Sequence, residues 1–201
     1  MMKRVLLLGD SIRMGYDEYV KEILAGEFEV EYDDADNGRF AAYTLWQANQ
    51  FFKNRGRFDV VHWNNGYWDM NIEAPMTEPM HPLDEYVRFL GRILSEIRKN
   101  GAVPVFATTT PILPAEAEAE VTREGCARFC YDNAWVVKYN AAAVSFMKKE
   151  DVAVNDLYSL CVSDPHYYKC PDLLHLTEEG YRRCAEQTAQ AIRAAANSSP
   201  A

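Results

Sequence analysis

The sequence predicts an α/β protein in which helices cover both faces of a parallel β-sheet. Short apolar runs typical of buried strands alternate with segments whose apolar residues recur at helical spacing. The connections are short, and the chain has neither internal repeats nor a low-complexity linker. Such alternation is typical of parallel strands joined by right-handed crossovers. We therefore expect one domain over residues 1–196 and a frayed tail over 197–201.

Five segments have the pattern of strands. The first is a continuous apolar run, as expected of a buried strand, and the second alternates apolar and polar residues, as expected of a half-buried one. In order, they are RVLLLG (4–9), FEVEYDDA (28–35), FDVVHWNNG (58–66), AVPVFATTTP (102–111) and VAVNDLYSL (152–160).

Helical patterns lie between and after these strands. The clearest occupies residues 82–101, where Val87, Leu90 and Ile97 lie on one apolar stripe and Gly101 ends the helix. Thr177 is the expected cap of the last helix. The other predicted helices are residues 17–26, 41–54, a segment with alternating Ala and Glu within 114–130, a helix around 135–147, and 177–196.

Composition and charge exclude several classes of function. Of 201 residues, 48% are hydrophobic and 25% are charged, which is ordinary for a globular chain. The net charge is −9 and no Lys or Arg cluster occurs, which argues against nucleic acid or an anionic membrane as partner. No apolar run matches a bilayer span or a signal peptide, so we expect a cytoplasmic protein. Nothing in the sequence indicates the oligomeric state.

The five cysteines have no CxxC spacing and no neighbouring cluster of His or Cys. We interpret them as reduced structural thiols and expect no metal site. They are Cys126, Cys130, Cys161, Cys170 and Cys184.

Polar residues follow the predicted strands, at the sheet edge where parallel α/β proteins place their working site. Ser11 follows the first strand, and Asp172 and His175 lie in a loop before the last helix. These three side chains are the set that acyl transfer requires: a nucleophile, a general base and an acid that orients the base. Ser11 could instead be a helix cap, as could Asp10 beside it.

The remaining histidines have simpler interpretations. His62 lies inside a strand and is expected to pack there, whereas His81 and His166 lie in loops and are expected to be exposed. Asp164 and His166 form a competing acid–base pair at a poorer spacing.

The motifs resemble those of the SGNH, or GDSL-type, hydrolases over nearly the whole chain. GDSI, a glycine after the second strand, an Asn-containing turn after the third strand, and DLLH are similar to that family's blocks I, II, III and V. The resemblance implies a three-layer α/β/α sandwich of flavodoxin-like topology. It also implies a serine esterase or lipase without metal or cofactor, in families that often act on acetylated carbohydrates or small esters.

The oxyanion hole departs from the family pattern. Backbone N–H groups of Ser11 and Gly38 are candidate donors. The family's third block usually reads G-x-N-D, but here GYWD puts Trp68 at the Asn position. A shift of three residues makes Asn65 the side-chain donor, which we prefer, and Asn64 is the alternative.

Several residues near the predicted site are candidate substrate contacts. Arg39 lies beside Gly38, and aromatic side chains in the neighbouring loops could stack on a sugar or simply fasten the loops to the core. The methionines of loop 70–82 could line an acyl chain. The candidates are Asp10, Arg39, Trp63, Tyr67 and Trp68, with Tyr167 and Tyr168 among the nearby aromatics.

The sequence therefore predicts a Ser-His-Asp hydrolase of carboxylic esters that acts on a small-molecule or glycan ester, most simply as an O-acetylesterase. A thioesterase or lysophospholipase is the alternative within enzymes. A non-catalytic binding protein on the same scaffold is the alternative outside them. A flavodoxin-like cofactor binder is disfavoured because GDSIRMG has too few glycines for a dinucleotide loop.

Overall fold

The computed structural model describes residues 2–72, 75–112, 133–164, 166 and 174–198. Five parallel strands form one sheet in the order β2-β1-β3-β4-β5. The strands are β1 (Lys3–Leu8), β2 (Phe28–Glu31), β3 (Val60–Asn64), β4 (Val103–Ala107) and β5 (Ala153–Asn155). The helices are α1 (Ser11–Ile23), α2 (Ala41–Arg55), α3 (Tyr67–Met70), α4 (Leu83–Asn100), α5 (Asn133–Lys149), α6 (Leu157–Val162) and α7 (Glu178–Ser198).

The helices form a layer on each side of the sheet. Helix α7 packs against α1 and α6 in one layer, and α4 packs against α2 and α5 in the other. The strand order is the doubly wound one in which β1 lies between β2 and β3. The predicted three-layer α/β/α sandwich with a flavodoxin-like sheet is confirmed.

The central strands are buried because helices cover both faces of the sheet. Val5, Leu6 and Leu7 have no exposed surface, and the same is true of Val60 and Val61. Such strands are continuous apolar runs, with no polar face to alternate with. Burying each of these side chains stabilises the fold by about 1.5–3 kcal/mol.

Helix ends follow local capping chemistry. The Asp10 carboxylate accepts from the Ile12 N–H (3.0 Å), so α1 begins at Ser11 rather than at residue 17, where the pattern of apolar residues predicts it. Gly101 ends α4 in the left-handed conformation, as predicted. The Thr177 hydroxyl accepts from the Gly180 N–H (3.1 Å), which confirms the predicted cap of α7.

Two short helices, α3 and α6, were not predicted from the sequence, because four and six residues are too few to display a helical period. The predicted helix within 114–130 lies outside the described residues. Helix α7 extends through Asn197 and Ser198, and residues 199–201 lie outside the described residues.

The thiols of Cys161 and Cys184 are buried between α6 and α7, with their sulfur atoms 3.9 Å apart. The other three cysteines lie outside the described residues. Among the helices of the described ranges, none is both long and apolar enough to cross a lipid bilayer.

Candidate active site

The candidate site lies where the strand order reverses, at the carboxyl ends of β1 and β3. Chain order proceeds from β1 outward to β2, then returns to the other side of β1 with β3, which leaves a crevice between the two connections. Ser11 follows β1, and Asn64 ends β3. His175 reaches the same crevice from the segment before α7.

Ser11 and His175 are in hydrogen-bond contact. The Nε2 atom of His175 lies 2.8 Å from the Ser11 Oγ, and both residues are half-buried. This distance is that of a nucleophile and its general base. Asp172, predicted as the third member, lies outside the described residues.

The packing of α1 against α7 brings these two residues together. At Gly15, an added Cβ would overlap the ring of Tyr181, so this ring of α7 lies against α1 only because position 15 has no side chain. Ser11 begins α1, and His175 lies just before α7. The helix contact therefore fixes the separation of the two side chains.

Asp10 caps α1, which leaves the Ser11 hydroxyl to bond His175. The carboxylate of Asp10 is fully buried and accepts from the Ile12 N–H and from Asn64 Nδ2 (2.9 Å). Burial raises the pKa of Asp10, and these hydrogen bonds oppose the rise. Asp10 has no exposed surface, so its observed role is to cap α1 and hold Asn64, and its role as a substrate contact stays a prediction.

Asn64 packs directly against the turn that carries Ser11. Gly9 has a φ of 143°, and an added Cβ there would overlap the Asn64 side-chain oxygen. Glycine is therefore required at position 9 for both its backbone angle and the space it leaves. Asn64 is thereby held beside the nucleophile turn.

Asn65 and Gly38 differ from their predicted role as oxyanion donors. Asn65 is fully buried, and its Nδ2 donates to Thr44 Oγ1 (2.7 Å) and to the Arg39 carbonyl (3.2 Å). The Gly38 N–H donates to the Gly9 carbonyl (2.8 Å). The Gly38 bond thus holds the segment after β2 against the turn after β1. The Asn65 bonds hold the same segment against the end of β3.

The aromatic candidates separate into buried and accessible side chains. The prediction that Trp63 lies in a loop is wrong, because it lies in β3 with no exposed surface and packs on Phe106. Tyr67 is also buried, and its hydroxyl donates to the Thr110 carbonyl, so both rings serve as packing in the described fold. Trp68 is half-buried, and Tyr167 and Tyr168 lie outside the described residues.

Arg13 is a residue that the sequence reasoning missed. Its guanidinium is buried, lies 2.6 Å from the Asp17 carboxylate, and donates to the carbonyls of Asp33 (2.8 Å) and Asp36 (3.0 Å). It therefore ties the loop after β2 to α1. Burial raises the pKa of Asp17 to about 8 against the opposing effect of Arg13. The i,i+4 spacing of Arg13 and Asp17 is the signal that could have revealed the pair.

His81 is buried, so the prediction that it is exposed is wrong. Its Nδ1 lies 2.6 Å from Asp69 Oδ1, and its ring stacks on Phe89. The same Asp69 oxygen accepts from the Ala41 N–H at the start of α2 (2.9 Å). Burial raises the pKa of Asp69 despite these hydrogen bonds. The pair joins the segment after β3 to the start of α2.

The other two histidines lie as predicted. His62 is fully buried in β3 beside Asn155, and burial lowers its pKa to about 3. His166 is exposed, and its backbone N–H donates to Asp164 Oδ1 (3.0 Å). Within the described part of the chain, no three His, Cys, Asp or Glu side chains cluster as metal ligands would.

Comparison with solved structures defines the fold as that of the SGNH hydrolases. The chain is similar to a lipase/acylhydrolase from Enterococcus faecalis, with 19% identity, a TM-score of 0.74 and 96% of each chain covered. It is similar to a GDSL-like lipase from Bacteroides thetaiotaomicron, with 20% identity, a TM-score of 0.71, and 96% of this chain and 89% of that one covered.

A third similar structure is the acetyl xylan esterase AlAXEase, at 16% identity and a TM-score of 0.69, with 94% of this chain and 99% of that one covered. No protein-family model matches the sequence. No curated protein matches it either.

Proposed function

We propose that this protein is a serine hydrolase of carboxylic esters. The observation that carries the proposal is the 2.8 Å contact between Ser11 Oγ and His175 Nε2 at the switch point of the sheet. The similar folds of a lipase/acylhydrolase, a GDSL-like lipase and an acetyl xylan esterase support it.

The reaction proceeds through an acyl-enzyme. His175 Nε2 takes the Ser11 hydroxyl proton as Oγ attacks the ester carbonyl carbon, and the carbonyl electron pair moves onto oxygen. When the tetrahedral intermediate collapses, His175 returns this proton to the leaving alkoxide, which departs as the alcohol. Water then attacks the acyl group with His175 as base, releasing the acid and restoring Ser11. We assign Asp172 the role of orienting the His175 ring and stabilising its charged form.

Ser11 N–H and Asn64 are the donors we propose for the oxyanion. The Ser11 N–H belongs to the first turn of α1, where N–H groups have no acceptor within the helix, and the helix dipole favours negative charge there. Asn64 Nδ2 gives one hydrogen to Asp10 and has a second to donate. Gly38 and Asn65 act by holding the adjoining segment in place.

An O-acetyl ester of a carbohydrate or small molecule is the substrate class we favour. The fold similarity to an acetyl xylan esterase supports it. The exposed guanidinium of Arg39 beside Gly38 offers hydrogen bonds to a polar alcohol portion.

Replacement of the nucleophile tests the proposal. Ser11→Ala is expected to lower p-nitrophenyl acetate hydrolysis by about 10³-fold or more, since removing the nucleophile of such a triad leaves only residual catalysis. Ser198→Ala, at the far end of α7, is the matched control and is expected to retain full activity. Circular dichroism checks that both variants fold, and unchanged activity in Ser11→Ala would contradict the proposal.

The same assay distinguishes the alternatives. A series of acetyl, butyryl and octanoyl esters is expected to favour acetyl, whereas preference for octanoyl would indicate a lysophospholipase or long-chain thioesterase. The occupied donors of Gly38 and Asn65 are the observation that favours a non-catalytic binding protein. Failure of a fluorophosphonate to label Ser11 would establish that alternative.

A further inference from the structure

Three planar side chains are stacked along the exposed side of α2. The guanidinium carbon of Arg39 lies 4.9 Å from the Tyr43 ring centroid. The Tyr43 and Trp46 rings lie 5.5 Å apart with planes 28° from parallel. We refer to Arg39, Tyr43 and Trp46 together as the stack. It begins at the residue after Gly38 and leads away from the nucleophile turn.

Trp46 presents an accessible aromatic face at the far end of the stack. It is 53% exposed, and among the described residues it is the only aromatic with a largely exposed side chain. Burying such a ring against a ligand is favourable, because an indole offers a large apolar face.

Hydrogen bonds hold the stack in place before any ligand arrives. The Tyr43 hydroxyl donates to Asp36 Oδ2 (2.8 Å), and Gln47 Nε2 donates to the same oxygen (2.9 Å). The bond to Asp36 raises the pKa of Tyr43, which keeps the hydroxyl protonated. Arg13 in turn holds the Asp36 carbonyl. Preorganisation of this kind reduces the ordering cost of binding.

A groove of about 510 Å³ between α2 and α4 continues from Trp46. The lining residues are Ala42, Leu45, Trp46 and Asn49 on α2, and Arg92, Ser95, Glu96 and Lys99 on α4. Glu96 and Lys99 form an ion pair (2.7 Å), so their charges offset each other. The groove therefore offers one aromatic plate, several hydrogen-bond groups and the single positive charge of Arg92.

We propose that the stack and this groove bind the carbohydrate portion of the ester substrate. A sugar ring has an apolar C–H face that packs on an indole and a rim of hydroxyls that bond Asn49 and Ser95. An acyl chain would require a lining with few polar groups, whereas five of the eight lining side chains in the described part of the chain are polar. Arg39 follows Gly38, and Gly38 is bonded to the turn that carries Ser11. A carbohydrate bound along the stack therefore extends toward Ser11. This inference rests on the proposed function and names its substrate class.

Calorimetric titration of the Ser11→Ala protein tests the inference without turnover. The probes are unacetylated β-1,4-linked hexasaccharides of xylose, glucose and N-acetylglucosamine. At least one is expected to bind, and adding Trp46→Ala is expected to weaken that binding by about 10-fold or more. Trp46→Tyr keeps an aromatic plate and is expected to stay within about 3-fold of Trp46.

Val137→Ala is the matched control, because Val137 is similarly exposed but lies on α5, and it is expected to leave binding unchanged. The inference is overturned if no hexasaccharide binds, or if Trp46→Ala binds as tightly as its parent. It is also overturned if sedimentation shows that Trp46 instead holds two copies of the chain together. Hydrolysis of p-nitrophenyl acetate separately tests the proposed function, so the two failures are distinguishable.

Discussion

At the scale of single residues, Arg13 joins α1 to the loop after β2. It pairs with Asp17 within α1 and holds two carbonyls of that loop. That loop leads to Gly38 and to the start of the stack. One buried guanidinium thus couples the nucleophile helix to the segment beside the proposed oxyanion hole.

Arg13→Met is expected to lower the free energy of unfolding by about 2–5 kcal/mol, because it leaves the buried Asp17 side chain and the Asp33 and Asp36 carbonyls without their donor. Urea denaturation followed by circular dichroism measures the change. Adding Asp17→Leu is expected to restore part of the loss.

The control for Arg13 is Arg182→Met, which removes an i,i+4 ion pair of the same kind from an exposed site with Glu178. Exposed pairs contribute little, so this variant is expected to unfold at nearly the wild-type urea concentration. Equal losses of unfolding free energy in the two variants would show that burial does not determine how much Arg13 stabilises the protein.

The sequence could predict that Ser11 and His175 lie together, but not which asparagine packs against the turn that carries Ser11. Both catalytic candidates follow from their positions before helices at the carboxyl edge of the sheet. Asn64 and Asn65 are adjacent, and successive side chains along a strand point to opposite sides. Choosing between them requires the register of β3 against β1, which the pattern of residue types does not specify.

At the scale of elements, the contact between α1 and α7 determines the geometry of the site. Gly15 allows the ring of Tyr181 to lie against the backbone of α1. The residues that would react lie at the beginning of one helix and just before the other. A change in helix separation therefore changes the distance between Ser11 and His175.

Gly15→Ala is expected to destabilise the protein by about 1–3 kcal/mol, because overpacking forces the two helices apart. Hydrolysis of p-nitrophenyl acetate is expected to fall about 10-fold as the Ser11–His175 distance lengthens. Thermal unfolding and kcat/KM measure the two effects.

Gly91→Ala is the matched control within α4. An added Cβ there meets only the edge of the Phe146 ring at 3.3 Å. Alanine is the better helix former, so this variant is expected to be neutral or slightly stabilised and fully active. If Gly91→Ala loses as much stability and activity as Gly15→Ala, the close approach of α1 and α7 has no special role.

The pattern of apolar residues predicted long elements well and short ones poorly. Helix α4, with its complete stripe and Gly101, has nearly the predicted bounds, whereas α3 and α6 are too short to show a period. The predictions for Trp63 and His81 are wrong because a position beside a predicted turn does not determine exposure. Tertiary packing against Phe106 and Phe89 buries them instead.

At the scale of the whole molecule, stability depends on keeping His62 neutral at the centre of the sheet. Burial lowers its pKa from 6.5 to about 3. Between these pH values the unfolded chain binds a proton that the folded protein excludes. The contribution of His62 is therefore complete above pH 6.5 and is lost as the pH falls toward 3.

His62→Gln is expected to flatten the fall in unfolding free energy between pH 6.5 and 4, with a slope smaller by up to about 1.4 kcal/mol per pH unit. Denaturation at a series of pH values measures the slopes. Asp10 and Asp69, with raised pKa values, act in the opposite direction and remain in both proteins.

The exposed His166 supplies the control, since His166→Gln is expected to keep the wild-type slope. If unfolding free energy falls with pH equally in the wild-type and His62→Gln proteins, the folded protein accommodates a charged ring at this position.

The contact between Ser11 and His175 joins residues 164 positions apart, so synthesis must pass His175 before it can form. A chain that ends earlier has the Ser11 hydroxyl but lacks the His175 imidazole. If the proposed reaction takes place, the onset of ester cleavage during translation would time the docking of α7 and report on late folding.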